Sequence, residues 1–210
     1  PGNGIVFYIS AAPFTSSKST CNTNCRYLEV APAGWANGGV VTDDPDLKFS
    51  SDQSNATGMT LSPSLISQSG RSGELENWKI GMGSLNTFYI MTPNGSHTAD
   101  TQYAAYTAWN YAGTDNSAGQ WFIPSVNEIN ELCKYAWGQP TGDPAVACTS
   151  SGTFKSTASA GSDLGGFRNN QYITSSEVSS GTVTIFNFAL SVAFTQSKIY
   201  GEYNRAIRAF

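Results

Sequence analysis

Charge is scarce in this sequence. Of its 210 residues only 12% are Asp, Glu, Lys or Arg, about half the ~25% usual in a soluble domain. Eleven basic against fifteen acidic residues give a net charge of −4, and the basic ones are scattered. That leaves no electrostatic footprint for a phosphate backbone and argues against nucleic acid as a partner. Long apolar runs are missing as well. The strongest covers residues 5–9, against the ~20 residues of a membrane-spanning helix, so no membrane insertion is expected. Histidine occurs once, as His97 in the turn-like Asn94-Gly95-Ser96-His97, and there is no G-x-S-x-G elbow. No nucleophile, base or metal set can be assembled from these residues, so we expect no enzyme and no cofactor. No basic and apolar leader precedes Pro1, which is not a translation start; the chain reads as processed or as excised from something longer.

Neutral hydrogen-bonding residues take the place of charge. There are 27 Ser, 20 Thr and 16 Asn, which reads as a polar but nearly uncharged exterior. Hydrophobic residues at 40% and aromatic residues at 12% supply one substantial core, so residues 1–210 are expected to form a single domain. Five Trp, ten Tyr and eleven Phe exceed what two helices and a modest sheet can bury. Some of the Tyr and Trp are therefore expected at a binding surface, where they offer area at low entropy cost.

The four cysteines fall into two local pairs, Cys21 with Cys25 and Cys133 with Cys148. Disulfides within each pair are the favoured reading; a zinc site is the rival, but the spacings are not those of two short metal knuckles and His97 is remote. Disulfides imply an oxidising, extracellular compartment.

Along the chain, residues 5–10 and 27–30 read as strands. Residues 34–73 read as a long loop with one short helix near 64–68. Asp100 is placed to cap a helix running to about Tyr111, with Tyr103, Tyr106 and Trp109 on one stripe. Ser125-Val126-Asn127-Glu128 is a capping box opening a helix that ends at Gly138. Residues 139–163 read as an insertion-like loop, and 171–174, 182–189, 191–195 and 204–210 as strands. Strands at both chain ends with helices between them predict an α+β fold with an antiparallel sheet, in which the terminal strand pairs with residues 5–9.

Asp43, Asp44, Asp46 and Asp52 could offer oxygen ligands to calcium, but their spacing is not that of a D-x-D-x-D-G loop, and a solvated acidic loop is the better reading. Asn55-Ala56-Thr57 and Asn94-Gly95-Ser96 match the glycosylation sequon, a pattern too short to weigh in so Asn-rich a chain.

Four segments carry a resemblance. Gly4-Ile5-Val6-Phe7-Tyr8 with Leu28-Glu29-Val30-Ala31-Pro32 at the start, Trp121-Phe122-Ile123-Pro124-Ser125 leading into Glu128, Gly165-Gly166-Phe167 leading into Tyr172-Ile173-Thr174-Ser175-Ser176-Glu177, and the closing Asn204-Arg205-Ala206-Ile207-Arg208-Ala209-Phe210 together resemble the Lcl C-terminal-domain-like family. This is a C-type-lectin-fold module of bacterial collagen-like adhesins and phage-associated proteins, close to the variable proteins of diversity-generating retroelements. The resemblance implies a C-type lectin-like fold with paired terminal strands, two helices and long irregular loops. It also implies a ligand-binding face just before the closing strand, for which Tyr172, Phe186, Phe188, Phe194, Gln196, Lys198, Tyr200, Glu202 and Asn204 are the candidates by position. Ile173 and Asn204 depart from the family pattern, which has Trp and Val there, and neither of the Glu-Pro-Asn and Trp-Asn-Asp marks of calcium-dependent sugar binding is present. The expected function is recognition or adhesion outside a cell or on a virion, toward a surface glycan or protein receptor, with homo-oligomeric display. A structural subunit of a pilus, filament, capsid or tail is the alternative.

Overall fold

The computed structural model describes residues 4–37, 44–51, 68–69, 76–91, 102–115, 117–157 and 165–210. The fold is α+β, with two sheets in which antiparallel pairing dominates. The first contains β1 (Ile5–Ser16), β2 (Asn22–Val30), β5 (Trp121–Phe122) and β10 (Ile207–Ala209), in the order β1-β2-β10-β5. The second contains β3 (Asp46–Lys48), β4 (Gln68–Ser69), β6 (Gln171–Ser179), β7 (Thr182–Asn187), β8 (Val192–Ser197) and β9 (Gly201–Tyr203), ordered β3-β9-β6-β7-β8-β4. Only the β6–β9 contact is parallel between these strands.

The terminal strands are not direct partners, contrary to the sequence expectation. β2 lies between them, taking β1 on one side as a hairpin and β10 on the other, with Ile5 and Ile207 both opposite Val30. A consecutive hairpin claims its partner first, because closing a short loop costs little entropy. The charge pairing then settles what β10 meets: Arg208 stands opposite Glu29, and its guanidinium donates to the Glu29 carboxylate at 2.7 Å.

Alternation along β6 and β7 sends Tyr172 and Phe186 to one core, with Leu28, Val30, Ile129, Leu132 and Ile207, and Ile173, Val183 and Ile185 to the other, with Trp35, Phe49, Ala105 and Trp121. β6 and β7 are thus buried on both faces, while β3, β8 and β9 beside them stay partly exposed.

Three α-helices are present among the described residues, one of which, α1 (Met82–Met91), the sequence does not suggest. The helix α3 (Val126–Ala136) begins as expected: Ser125 Oγ accepts from Glu128 N, and the Glu128 carboxylate accepts from Ser125 N at 2.7 Å. The helix α2 (Ala104–Asn110) starts after Tyr103, which makes no side-chain cap; the proposed cap, Asp100, lies outside the described residues. Its buried face consists of Ala104, Ala105, Thr107 and Ala108, small residues that allow close approach, so the Tyr106 and Trp109 stripe is left half-buried on the outside. The helix α1 (Met82–Met91) has no apolar stripe to betray it, because its buried residues are Gly83, Ser84, Asn86, Thr87 and Ile90.

Those residues belong to a polar layer inside the molecule. Ser84 Oγ meets Ser16 Oγ at 2.8 Å, Asn86 donates to Asn77 O and to Ser175 Oγ, and Thr87 Oγ1 accepts from Ile123 N at 3.0 Å. Thr174, Ser175 and Ser176 on β6 are buried too. Much of the neutral polar content read as exterior is therefore interior, where each hydrogen bond offsets the cost of desolvating it.

The long region 34–73 contains a 3-10 turn (Trp35–Asn37) and β3 within its described parts. Gln68, at the end of the helix expected near 64–68, is in β4, and the rest of that stretch lies outside the described residues. Both cysteine pairs form disulfides, Cys21 with Cys25 and Cys133 with Cys148. The second ties the loop after α3 to that helix. Gly142 N donates to Glu131, Cys148 N donates to Asn130, and Lys134 Nζ donates to Asp143 O. No helix among the described residues is long and apolar enough to cross a membrane.

Candidate functional site

β8 pairs with β7, and β9 with β6, although only residues 198–200 connect β8 to β9. Those three residues form a strap across the β6–β7 hairpin, with Lys198 N donating to Gly181 O in its turn at 3.0 Å. Lys198 is the pin. Its side chain is buried and its ammonium meets the Glu177 carboxylate, donates to Ser180 O at 2.8 Å and lies 5.3 Å from the Phe49 ring centre. With Lys198 committed inward, Ile199 and Tyr200 turn out, 50% and 58% exposed.

Beside the strap, the Gln196 carboxamide donates to the Glu202 carboxylate, joining β8 to β9. Burial raises the Glu202 carboxyl above its ordinary value, Asp46 adds to the shift, and the bond from Gln196 opposes it. Phe194, two residues before Gln196 on the same side of β8, is partly exposed and packs against the second core. Phe194, Gln196, Tyr200 and Glu202 are therefore the candidates left at least partly exposed on and beside the strap, with one carboxylate among them. Ile199 joins them. Sequence reasoning passed over it, although a large apolar residue between Lys198 and Tyr200 in a short turn was a visible signal.

The other five candidates are interior residues, which corrects the sequence-based assignment. Tyr172, Phe186 and Phe188 pack in the first core, with Tyr172 stacked on Phe188 at 4.3 Å between ring centres. Lys198 is the pin already described. Asn204 is buried, donating its backbone N–H to Pro45 O, accepting from the Trp35 indole at 3.1 Å and reaching Ala104 O. The expectation assumed that a run of aromatics and amides before the closing strand faces solvent; a sheet covered on both sides leaves no such face in β6 or β7.

The charged residues of the four segments that carry the resemblance are likewise used inside. Arg205 lies buried 4.3 Å over the Phe167 ring, meets Asp44, and donates to the carbonyls of Ala31, Gly165 and Gly166. Gly165 has no room for a side chain, since a β-carbon there would run into Thr157 O. Tyr172 donates its hydroxyl to Asp44, and burial, then the Asp44 charge, pushes its phenol well above the usual range. Arg208 bridges Glu29 and Asp115. Glu128 accepts from Gly81 N and Ser125 N, and burial drives its carboxyl up to about 7.

Of the four clustered aspartates, Asp44 is paired in the interior and Asp46 is exposed on β3; Asp43 and Asp52 lie outside the described residues, as do His97 and both sequons. No group of three or more His, Cys, Asp or Glu side chains comes together as a metal site among the described residues. No family model, no curated protein and no solved structure matches the chain.

Proposed function

We propose that this chain is a non-enzymatic recognition domain with a C-type lectin-like fold, displayed outside a cell or on a virion, that binds a surface glycan or protein receptor through the strap between β8 and β9. The observation that carries this reading is the division of labour at residues 198–200: a buried ion pair fixes the strap while Ile199 and Tyr200 stand exposed above it. A contact surface preset in this way loses little entropy on binding. Phe194, Gln196 and Glu202 extend it with one ring, one amide and one carboxylate, the mixture found where aromatic anchors sit within a polar rim. The two disulfides support an oxidising compartment,. The family resemblance of the four segments supports the fold reading, and weak single contacts strengthened by oligomeric display suit the surface.

The test is a fluorescent multimer of the whole chain applied to a glycan array and to receptor-bearing cells. Replacing Ile199 and Tyr200 together by Ala is expected to lower bound signal about tenfold or more, with an unchanged melting temperature. Undiminished binding by that variant overturns the assignment.

The alternative of a structural subunit has one observation in its favour, the outer edge of β1, unpaired among the described strands and carrying the exposed Ile9. Pro13 within that edge lacks the N–H that strand addition needs, which weakens it. Growth of the particle with concentration in sizing experiments would favour this alternative.

A further inference from the structure

A cleft of about 340 Å³ opens between the 3-10 turn at 35–37 and the end of α2, lined by Trp35, Tyr106, Asn110, Tyr111 and small neighbours. We propose that this cleft is a second binding site, separate from the strap, and that it takes a neutral sugar ring. Its size falls at the lower end of small-ligand sites, roughly 300–1,000 Å³. No charged side chain is among the described residues that line it, and those residues offer nothing to compensate the desolvation of a phosphate, a carboxylate or an ammonium group.

What the cleft does offer is aromatic surface held in place. Tyr111 stands edge-on to Trp35, with ring centres 5.4 Å apart, and edge-on to Trp121 at 5.0 Å. The Arg208 guanidinium lies 5.0 Å over the Trp121 ring and is itself fixed by Glu29 and Asp115. The Trp35 indole N–H is spent on Asn204 O. Trp35, Tyr111 and Trp121 thus form a packed set of rings, and Tyr106 adds a half-buried ring from the outward side of α2. Rings fixed before binding lose little entropy when a ligand arrives.

Beside the rings stands Asn110, exposed, with one of its amide N–H groups donated to Tyr106 O at 2.9 Å. A sugar ring has the matching chemistry, a C–H face for the aromatic surface and hydroxyls around its edge for the carboxamide. A purely apolar occupant would desolvate that carboxamide without a partner.

The experiment is saturation-transfer NMR on the full chain with the methyl glycosides of glucose, galactose, mannose and N-acetylglucosamine, with N-acetylphenylalaninamide as the competing probe. At least one glycoside is expected to bind with a Kd on the order of millimolar. Tyr106→Ala should weaken it about tenfold while Tyr106→Phe stays within about threefold, since the ring and not the hydroxyl carries stacking. Asn110→Ala, at an exposed position that leaves the fold intact, should weaken it severalfold. The Ile199→Ala and Tyr200→Ala double variant should bind the glycoside unchanged, which separates this site from the strap. The proposal is overturned if no glycoside receives saturation, if only N-acetylphenylalaninamide does, or if both Tyr106→Ala and Asn110→Ala bind as the unaltered chain does.

Discussion

Arg205 and Asp44, 161 positions apart in the sequence, meet as an ion pair with both side chains buried. Three backbone carbonyls and the Phe167 ring surround the guanidinium, and the Tyr172 hydroxyl donates to the carboxylate. Removing the cation takes the ion-pair partner from a buried anion. Arg205→Met is therefore expected to cost about 3–5 kcal/mol in urea unfolding. In an Asp44→Asn background the same change should cost at least about 1 kcal/mol less, because residues in direct contact do not act additively. Additive losses of the two single variants would show that the pair does not act as a unit.

Glu128 predicts an unusual dependence on pH. Its folded carboxyl titrates at about 7 against an ordinary 4.5, with burial as the first cause. The raised value means that the folded state holds its proton more tightly than the unfolded chain does. This contribution is complete below about pH 4.5 and is lost as pH rises through about 7, to the extent of about 3 kcal/mol. The melting temperature should fall between pH 5 and pH 8, and Glu128→Gln should remove most of the fall. Parallel curves for the two proteins would contradict this account. The close approach of Gly83, where a β-carbon would collide with the carboxylate, leaves little room for water to relieve the burial.

The two disulfides should differ in weight. Cys133–Cys148 spans 15 positions and Cys21–Cys25 only four. Chain entropy then predicts losses of about 3 and about 2 kcal/mol for the respective Ser pairs. The Cys133→Ser and Cys148→Ser protein should also be cut faster by protease within residues 139–157, since the bridge anchors that loop to α3. Equal proteolysis would mean that the hydrogen bonds accepted by Asn130 and Glu131 and donated by Lys134 suffice to hold the loop.

The parts of the fold that could be read in the sequence are those where local chemistry and tertiary packing agree. Ser125 and Glu128 announce α3 because the capping box and the apolar stripe coincide there. The cysteine pairs were legible from spacing and composition together. α1 was not, because its inward side is Gly83, Ser84, Asn86 and Thr87, whose reason for burial is a set of hydrogen bonds to distant residues. On α2 the sequence shows the stripe of Tyr103, Tyr106 and Trp109, but the buried side is that of Ala104, Ala105, Thr107 and Ala108, which only close packing selects. Of the strap and the strand after it, Tyr200 and Glu202 could be found by position. The inward turn of Lys198 could not, because it depends on Glu177, which reaches it only through the fold.

The packing of the interior also bears on the low charge of the chain. Of its eleven basic and fifteen acidic residues, Glu29, Asp44, Glu128, Glu131, Lys134, Glu177, Lys198, Arg205 and Arg208 are buried. The exterior is consequently poorer in charge than the composition suggests, which favours contacts by ring and amide over contacts by charge.

The central position of β10 has a temporal side. The partners Glu29 and Arg208 are separated by 179 positions, and β2 and β5 can be joined only when residues 207–209 enter between them. During synthesis the β1–β2 hairpin must wait with one edge open while nearly the whole chain is made, and closure over so long a span makes the final assembly slow. A chaperone that shields the open edge of β2 would act at the step where the nascent protein is most exposed to misassociation.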